Sequence, residues 1–534
     1  MKCEVWRDVL FSVEFEAEGP LHLAAMPKSM RKFQPPMTGW LRGFFDAIAM
    51  AIYVLIVYSA SLTIRPLGRD YPMLGSPHAC ASFPVDWLLA AETRFFADSA
   101  WAYHCVNLGL LYACMLLLYR LTNRVLGGPW WFGTLAATLF MANPVHSEAV
   151  LNLCGPVDLL PCLLALASLT VYAESAFAPR PWSVILSPVL FALAILGGSQ
   201  NAMLLFVLIL FELFVRTRRG NPLPRLALPA ILSVAKWCFT PGILSTARWD
   251  PAGMFAPLYF IAYPLGFLPE TARAFVTYPA LGGLAAAAVL FTLFLIYRKA
   301  KRPVILFGLF AAAATRLFHG DAFVDPVHLI GGGQLLLANG LFNIALVALF
   351  YRIMDHGKWR RPVVTLTTLL CVVFFAIELR SVLAWRHASA YVERFQANVA
   401  TRDEASAGKD SFILPDFQFY SGAPMCLGQS VSCDTPFNKG TSEMTILRLN
   451  YSPDVRVRLV ESSDKAVTVA IYAASPLDLP CYPYGLSTPG GQEEEAGFLI
   501  ETVSISPGIL TLRILTKGGP LPRAVLSTDI AGPF

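Results

Sequence analysis

Long apolar runs separated by short polar segments dominate the first 385 positions of this chain. About eleven of the runs approach the ~20 residues that an α-helix needs to cross ~30 Å of hydrocarbon. They cover residues 42 to 63, 101 to 119, 130 to 145, 157 to 173, 182 to 198, 201 to 215, 226 to 245, 279 to 297, 303 to 319, 329 to 351 and 363 to 384. The pattern predicts an α-helical polytopic membrane protein. The apolar stretch 254 to 268 is short and contains Pro257 and Pro264, so we predict an interfacial or re-entrant segment there.

A different pattern begins near Phe412, where apolar and polar residues alternate in stretches rich in β-branched residues. These stretches are 444 to 450, 455 to 460, 466 to 472, 498 to 503 and 509 to 515. Alternation with a period of two predicts half-buried strands and hence a small antiparallel β domain. The predicted organisation is an N-terminal segment (1–40), a transmembrane domain (41–384), a juxtamembrane helix or linker (385–411) and a β-rich domain (412–534). Within that last region, Cys426 and Cys433 are either bridged or free thiols.

Composition and charge support this class and indicate an orientation. Hydrophobic residues make up 56% of the chain and charged residues only 14%, and the net charge of +5 is too small to indicate nucleic-acid binding. Lys and Arg collect in alternate loops, for example at 216–219, 298–302 and 358–361. By the positive-inside rule the N-terminus is then cytoplasmic, and the residues after about 385 are extracytoplasmic.

A polar turn between two apolar runs, Asn143-Pro-Val-His146-Ser-Glu148 followed by Gly155 and Asp158, is the strongest indication of function. Ionisable groups beside hydrocarbon are costly to desolvate, so they are expected to face a water-filled cavity, a partner or a substrate. The alternative is a solvated turn in which Asn and Pro only interrupt a helix. Asp46, Glu212 and Glu378 also lie in predicted spans, where we interpret them as isolated groups near helix ends or facing a neighbouring helix.

The residues of this region resemble a known family. The match comprises Trp101 to Asn107 (Trp-Ala-Tyr-His-Cys-Val-Asn), Leu126-Gly-Gly, Asn143 to Val150, and Gly155 with Asp158-Leu-Leu. They are similar to the membrane half of the transmembrane and TPR-repeat-containing O-mannosyltransferases and to their bacterial relatives in the GT-C superfamily. Weaker similarity is found at Leu196 to Gln200 and at Val324 to Gly333.

This resemblance implies an inverting membrane glycosyltransferase of GT-C type. Its donor would be a polyprenyl-phosphate-linked sugar, and its acceptor a protein, glycan or lipid on the outer side of a bacterial inner (plasma) membrane. Such chemistry needs a carboxylate to activate the acceptor, and a basic group or a divalent metal such as Mg²⁺ or Mn²⁺ for the departing phosphate.

The site residues implied by the resemblance fall on the first outward loop, the span after it, the polar turn and the stretch beginning at Val324. We predict that Asp70 and Glu148 are catalytic. The predicted substrate-binding residues are His146, His104, Asn107, Asp158, Arg69, Arg65 and Asp325, and the candidate metal ligands are Asp70, Glu148 and His146. Alternatively, Arg69 and Asp70 form a solvated loop pair, and His104 and Asn107 have structural roles. Between Phe83 and Phe96, aromatic and aliphatic residues share one helical face, which predicts a helix lying in the membrane interface.

Departures from the family pattern leave three hypotheses. Family basic residues are replaced at Phe83, Pro156, Gln200 and Pro326, although basic groups are what a phosphate leaving group requires. The chain is therefore either an active glycosyltransferase with a rebuilt donor site, or an inactive scaffold whose β domain binds a partner in envelope assembly. A transporter or flippase ranks last, because inverted repeats and paired intramembrane charges are not evident.

Overall fold

The structure is a computed structural model that describes most of the helical part and the strands of the C-terminal part. The described residues are 39–68, 70–75, 83–127, 131–177, 181–198, 201, 203–216, 222–239, 304–315, 332–355, 360–406, 413–415, 419–420, 423–424, 445–447, 456–462, 466–472, 492–495, 498–506 and 509–516. Arg69 and Asp325, Cys426 and Cys433, and the predicted span 279 to 297 lie outside these residues.

Thirteen α-helices occupy the described part of the chain up to residue 406. They are α1 (Gly39–Tyr58), α2 (Asp70–Gly75), α3 (Val85–Phe96), α4 (Ala100–Leu126), α5 (Trp131–Ala142), α6 (Ser147–Leu151), α7 (Pro156–Phe177), α8 (Pro181–Gly197), α9 (Leu204–Phe214), α10 (Leu223–Phe239), α11 (Val304–Ala314), α12 (Leu336–Asp355) and α13 (Arg360–Ser406). Short 3₁₀ turns lie at Ser59–Thr63, Pro144–His146 and Gly332–Leu335.

Each predicted span within the described residues contains one of these helices. Five stretches are long and apolar enough to cross a membrane: Gly43–Thr63, Ala100–Leu126, Pro156–Phe177, Leu336–Met354 and Arg361–Ala397. The helices α5, α8, α9 and α11 are apolar but shorter. A total of about eleven crossings stays a prediction. The predicted boundary at residue 384 falls inside α13, which continues without a break to Ser406.

The outer surfaces of these helices are apolar, as expected for lipid contact. Large aliphatic side chains such as Ile56 on α1, Ile185 on α8 and Val372 on α13 are more than half exposed. In water such surfaces would be a liability, whereas in a bilayer they face hydrocarbon. The chain is therefore a multi-pass membrane protein.

Small residues allow the helices to approach one another closely. Helix α7 packs along α4 and α8, and α12 packs on α11 and α5. At Gly133 of α5 an added Cβ would lie 2.5 Å from the Tyr119 carbonyl oxygen of α4, and at Gly308 of α11 it would lie 2.7 Å from the Leu341 carbonyl oxygen of α12. Only glycine permits this spacing, which is typical of packing between membrane helices.

Nine strands are described after residue 412, and five of them overlap the five stretches where alternation predicts strands. They are β1 (Ile413–Pro415), β2 (Phe419–Tyr420), β3 (Ala423–Pro424), β4 (Thr445–Leu447), β5 (Arg456–Ser462), β6 (Ala466–Tyr472), β7 (Gln492–Glu495), β8 (Phe498–Ser506) and β9 (Ile509–Thr516). The last five pair antiparallel in the order β5-β6-β9-β8-β7. That residues 412–534 form a separate extracytoplasmic domain stays a prediction.

Candidate functional site

One end of the helix bundle gathers polar side chains from segments that are far apart in sequence. We call this region the polar corner and define it by Asp70, His104, Asn107, His146, Glu148, Asp158 and Glu378, all of which are buried. The corner joins the loop after α1, the starts of α4 and α7, the turn around α6, the 3₁₀ turn Gly332–Leu335 and part of α13.

Asp70 connects the first loop to the polar turn. It begins α2, and its side chain is fully buried. Its Oδ2 accepts a hydrogen bond from the backbone N–H of Leu67 at 3.0 Å, and its Oδ1 accepts one from the N–H of Cys154 at 2.9 Å. Cys154 lies in the turn that follows Glu148. The structure therefore brings the predicted loop carboxylate to the predicted His/Glu turn.

The polar turn is stabilised by its own Asn and Ser residues. The Asn143 side chain accepts from the N–H of Val145 at 3.1 Å, which caps the 3₁₀ turn, and Pro144 suits the first position because it lacks an N–H. The Ser147 hydroxyl lies 2.7 Å from the Pro144 carbonyl oxygen. These local bonds explain why α5 ends at Ala142 and a one-turn helix, α6, follows.

Asn107 of α4 binds the far side of the same turn, as one interpretation of the sequence proposed. Its Nδ2 donates to the Asn152 carbonyl oxygen at 2.7 Å. Gly155 packs directly on this amide, since an added Cβ would lie 2.6 Å from Asn107 Nδ2. His104 instead contacts the first loop, with its Nε2 3.0 Å from the Ile64 carbonyl oxygen. Their roles as substrate ligands stay predictions.

His146 is held in a network of three asparagines. Its Nε2 contacts the carbonyl oxygen of Phe140 and lies 3.0 Å from Nδ2 of Asn339 on α12. The Oδ1 of Asn339 in turn accepts from Asn343 at 3.0 Å and from Asn143 at 3.3 Å. Burial lowers the pKa of His146 to about 3. The imidazole is therefore neutral at physiological pH and does not supply positive charge to a phosphate.

Glu148 and Asp158 lie on either side of this turn. The exposed fraction is 6% for Glu148 and 4% for Asp158, compared with 0% for Asp70 and Glu378. Gly333 passes so close to Asp158 that an added Cβ would collide with the carboxylate. The end of the stretch Val324 to Gly333, which carries one of the weaker similarities, thus packs against the start of α7.

Glu378 is a member of the corner that sequence reasoning missed. Its Oε2 lies 2.8 Å from the Ser147 hydroxyl, and its carboxyl group also faces Tyr58 of α1. Ser147 has only one proton, which it donates to the Pro144 oxygen or to Glu378. Both contacts are satisfied when Glu378 carries a proton and donates to Ser147. A carboxyl group within a predicted span often indicates a functional site. The sequence could not show the hydrogen-bond partner of Glu378, because Ser147 lies 231 positions away.

Arg65, another of the predicted substrate-binding residues, lies at the rim of the polar corner. Arg65 has a half-exposed side chain 3.7 Å from Glu393 of α13, and its backbone N–H donates to Ser389 at 2.7 Å.

Among the described residues, no group of three or more His, Cys, Asp or Glu side chains could hold a metal ion. The predicted metal site at Asp70, Glu148 and His146 stays a prediction, and no step below depends on it.

Comparisons with known proteins find similarity over part of the chain. No protein-family model matches it. It is 30% identical to human protein O-mannosyl-transferase TMTC2 over 120 residues, which is 22% of this chain and 14% of that protein. It is also 30% identical to Drosophila melanogaster protein O-mannosyl-transferase Tmtc2 over 143 residues, which is 26% of this chain and 14% of that protein. The chain thus spans about a seventh of the length of these relatives, and over this stretch it is distantly similar to membrane O-mannosyl-transferases.

Proposed function

We propose that this protein is a membrane glycosyltransferase that moves a sugar from a polyprenyl-phosphate carrier to an extracytoplasmic acceptor, with the polar corner as its active site. One observation carries the proposal: Asp70 of the first loop is hydrogen-bonded to the turn that follows Glu148. The first loop, which carries the predicted Asp70, and the polar turn, whose residues resemble the transferases, therefore meet at one end of the bundle. The distant similarity to O-mannosyl-transferases supports the same reaction class.

In the proposed reaction, Glu148 is the general base. It is the carboxylate of the corner with the largest exposed fraction, 6%. It takes the proton of the acceptor hydroxyl while that oxygen attacks the anomeric carbon of the donor sugar. The bond from this carbon to the phosphate oxygen breaks, the phosphate leaves with the electron pair, and the configuration inverts.

The other corner residues would position the reacting groups. Asp70 accepts two backbone N–H groups from separate segments, which suits it to holding the turn in place. Its catalytic role stays a prediction. Arg65 would bind the leaving phosphate at the rim through charge-assisted hydrogen bonds. The polyprenyl chain would lie along the apolar outer surface of the spans.

The first experiment measures sugar transfer by the purified full chain in lipid nanodiscs. It uses a panel of radiolabelled polyprenyl-phosphate sugars, with membrane extract as the source of acceptors. We expect transfer from at least one donor, and a loss of ~100-fold or more in Glu148→Gln, because a positioned general base contributes about 10² to 10⁴ in rate.

The matched control is Asp46→Asn, which removes a carboxylate at the opposite end of the bundle. Asp46 accepts a hydrogen bond from the Tyr119 hydroxyl at 3.2 Å, far from the corner along both helices. This variant should transfer at the wild-type rate. Folded wild-type protein that transfers none of the sugars would overturn the proposal in favour of the inactive scaffold. Full activity in folded Glu148→Gln would reject Glu148 as the base.

A further inference from the structure

Helix α3 has an unusual distribution of apolar and ionisable residues between its two faces. Its outer face presents Trp87 and Phe95, which are 70% and 78% exposed. Its inner face comprises Val85, Leu89 and Glu92, of which the last is only 2% exposed. The helix thus turns aromatic rings outward, as an interfacial helix does, and turns a carboxyl group inward among apolar side chains.

The carboxyl group of Glu92 lacks any hydrogen-bond partner, since neither Oε1 nor Oε2 has one. The inner face of α3 packs in a small cluster with Leu74 of α2, Tyr103 of α4, and Leu153 and Cys154 of the polar turn. Of the described groups near it, Tyr103 is titratable, with Asp98 and Cys154 beyond it, and the neighbours on α2 and α7 are apolar. None of these is a cation that could compensate an ionised Glu92.

The link between α3 and α4 contains one strained residue, which a side chain of α4 contacts through a hydrogen bond. Ala97 follows α3 directly and has φ 47° and ψ −116°, a backbone conformation that residues with a Cβ rarely adopt. The Tyr103 hydroxyl donates to its carbonyl oxygen at 3.1 Å. Such strain persists only where the surrounding structure imposes it, and it concentrates at active sites, ligand clamps and switch regions.

We propose that α3 is a lid on the polar corner, hinged at Ala97, and that Glu92 is its proton-dependent latch. A neutral Glu92 stays in the apolar cluster and keeps α3 docked over Leu153 and Cys154, the turn to which Asp70 is bound. An ionised Glu92 must be solvated, so it leaves the cluster and α3 opens with it. This proposal goes beyond the transfer reaction and does not depend on it.

The direction and size of the effect follow from proton linkage. Burial raises the pKa of Glu92 from 4.5 to about 8 in the closed state, whereas in the open state it titrates near its ordinary value. Between these two values the closed state holds a proton that the open state has lost. Each unit of rising pH therefore favours opening tenfold, and the opening constant increases by about three orders of magnitude before it levels off above about pH 8.

Hydrogen–deuterium exchange of the full chain in nanodiscs measures this opening constant directly, after correction for intrinsic exchange rates. In wild-type protein the amides of α3 should lose protection as the pH rises from about 5 to about 8, while those in the middle of α4 should not. In Glu92→Gln and Glu92→Leu the opening constant of α3 should not vary with pH. Glu92→Leu should also be the more protected of the two, since it buries no polar atom.

The matched control is Asp98→Asn, which removes an exposed acidic group next to the hinge and should keep the wild-type pH dependence. A wild-type opening constant that does not change with pH would overturn the proposal. The same pH dependence in Glu92→Leu as in the wild type would also overturn it. Neither result depends on detecting sugar transfer, so failure of the latch and failure of the proposed reaction are distinguishable.

Discussion

Asp70 is fully buried and accepts backbone N–H groups from two separate segments. Leu67 belongs to its own loop, and Cys154 lies 84 positions further along the chain. Sequence reasoning selected Asp70 as the first acidic residue after a span, but it did not identify these partners. A catalytic candidate can therefore also hold the site together, and the two roles need separate measurements.

We predict that Asp70→Ala destabilises the protein by about 2 to 6 kcal/mol, because it leaves two buried N–H groups unpaired at about 1 to 3 kcal/mol each. Thermal unfolding in detergent should show a lower midpoint. Asp98→Ala, which removes an exposed carboxylate, should unfold like the wild type. An unchanged midpoint in Asp70→Ala would mean that these two bonds contribute little.

At the scale of elements, one face of α13 organises the polar corner. Glu378 contacts Ser147, Ser389 accepts from the backbone of Arg65, and Gln396 donates to the Tyr71 hydroxyl at 3.2 Å. These residues are separated by whole turns, and they span about 27 Å at 1.5 Å per residue. The continuous helix thus joins the membrane core to the first loop, where the sequence predicted a span followed by a helix or linker.

We predict a non-additive double-mutant cycle between Ser147 and Glu378. Ser147→Ala leaves a buried carboxyl group without its hydroxyl partner and should cost about 1 to 3 kcal/mol. Glu378→Leu should cost less, because Ser147 keeps its contact with the Pro144 oxygen. The double variant should recover most of the stability lost in Ser147→Ala, as measured by thermal unfolding. Additive losses would show that the two side chains are not energetically coupled.

At the scale of the whole molecule, the polar corner and the distal part of α13 lie at the same end of the bundle. Arg65 contacts Ser389 and Glu393 of α13, whereas Arg120 and Glu174 pair near the other ends of α4 and α7. The orientation of these ends in the membrane stays a prediction, which the positive-inside rule assigns as corner outside.

We expect Arg65→Cys and Glu393→Cys to react with a membrane-impermeant thiol reagent in intact cells. Arg120→Cys should react only after the membrane is permeabilised, because it lies at the opposite end. The unsubstituted chain supplies the background from native cysteines such as the exposed Cys105. Labelling of Arg65→Cys and Glu393→Cys from different sides would contradict the packing of α13 on the first loop.

The sequence by itself determined where the long apolar helices of the described residues lie, because the length of an apolar run and its bounding polar residues are local properties. It also placed five of the described strands and the polar turn, and it predicted a helix whose apolar residues Phe83, Trp87 and Phe95 are exposed. That this helix lies in the membrane interface stays a prediction.

Only the tertiary structure decided which polar groups share the corner. Asp70 with Cys154, Ser147 with Glu378, and Glu92 inside an apolar cluster are relations across the chain, and no local pattern encodes them. The physical reason is desolvation. A buried carboxyl group must either find a donor or remain neutral, and packing between distant segments determines which of these occurs.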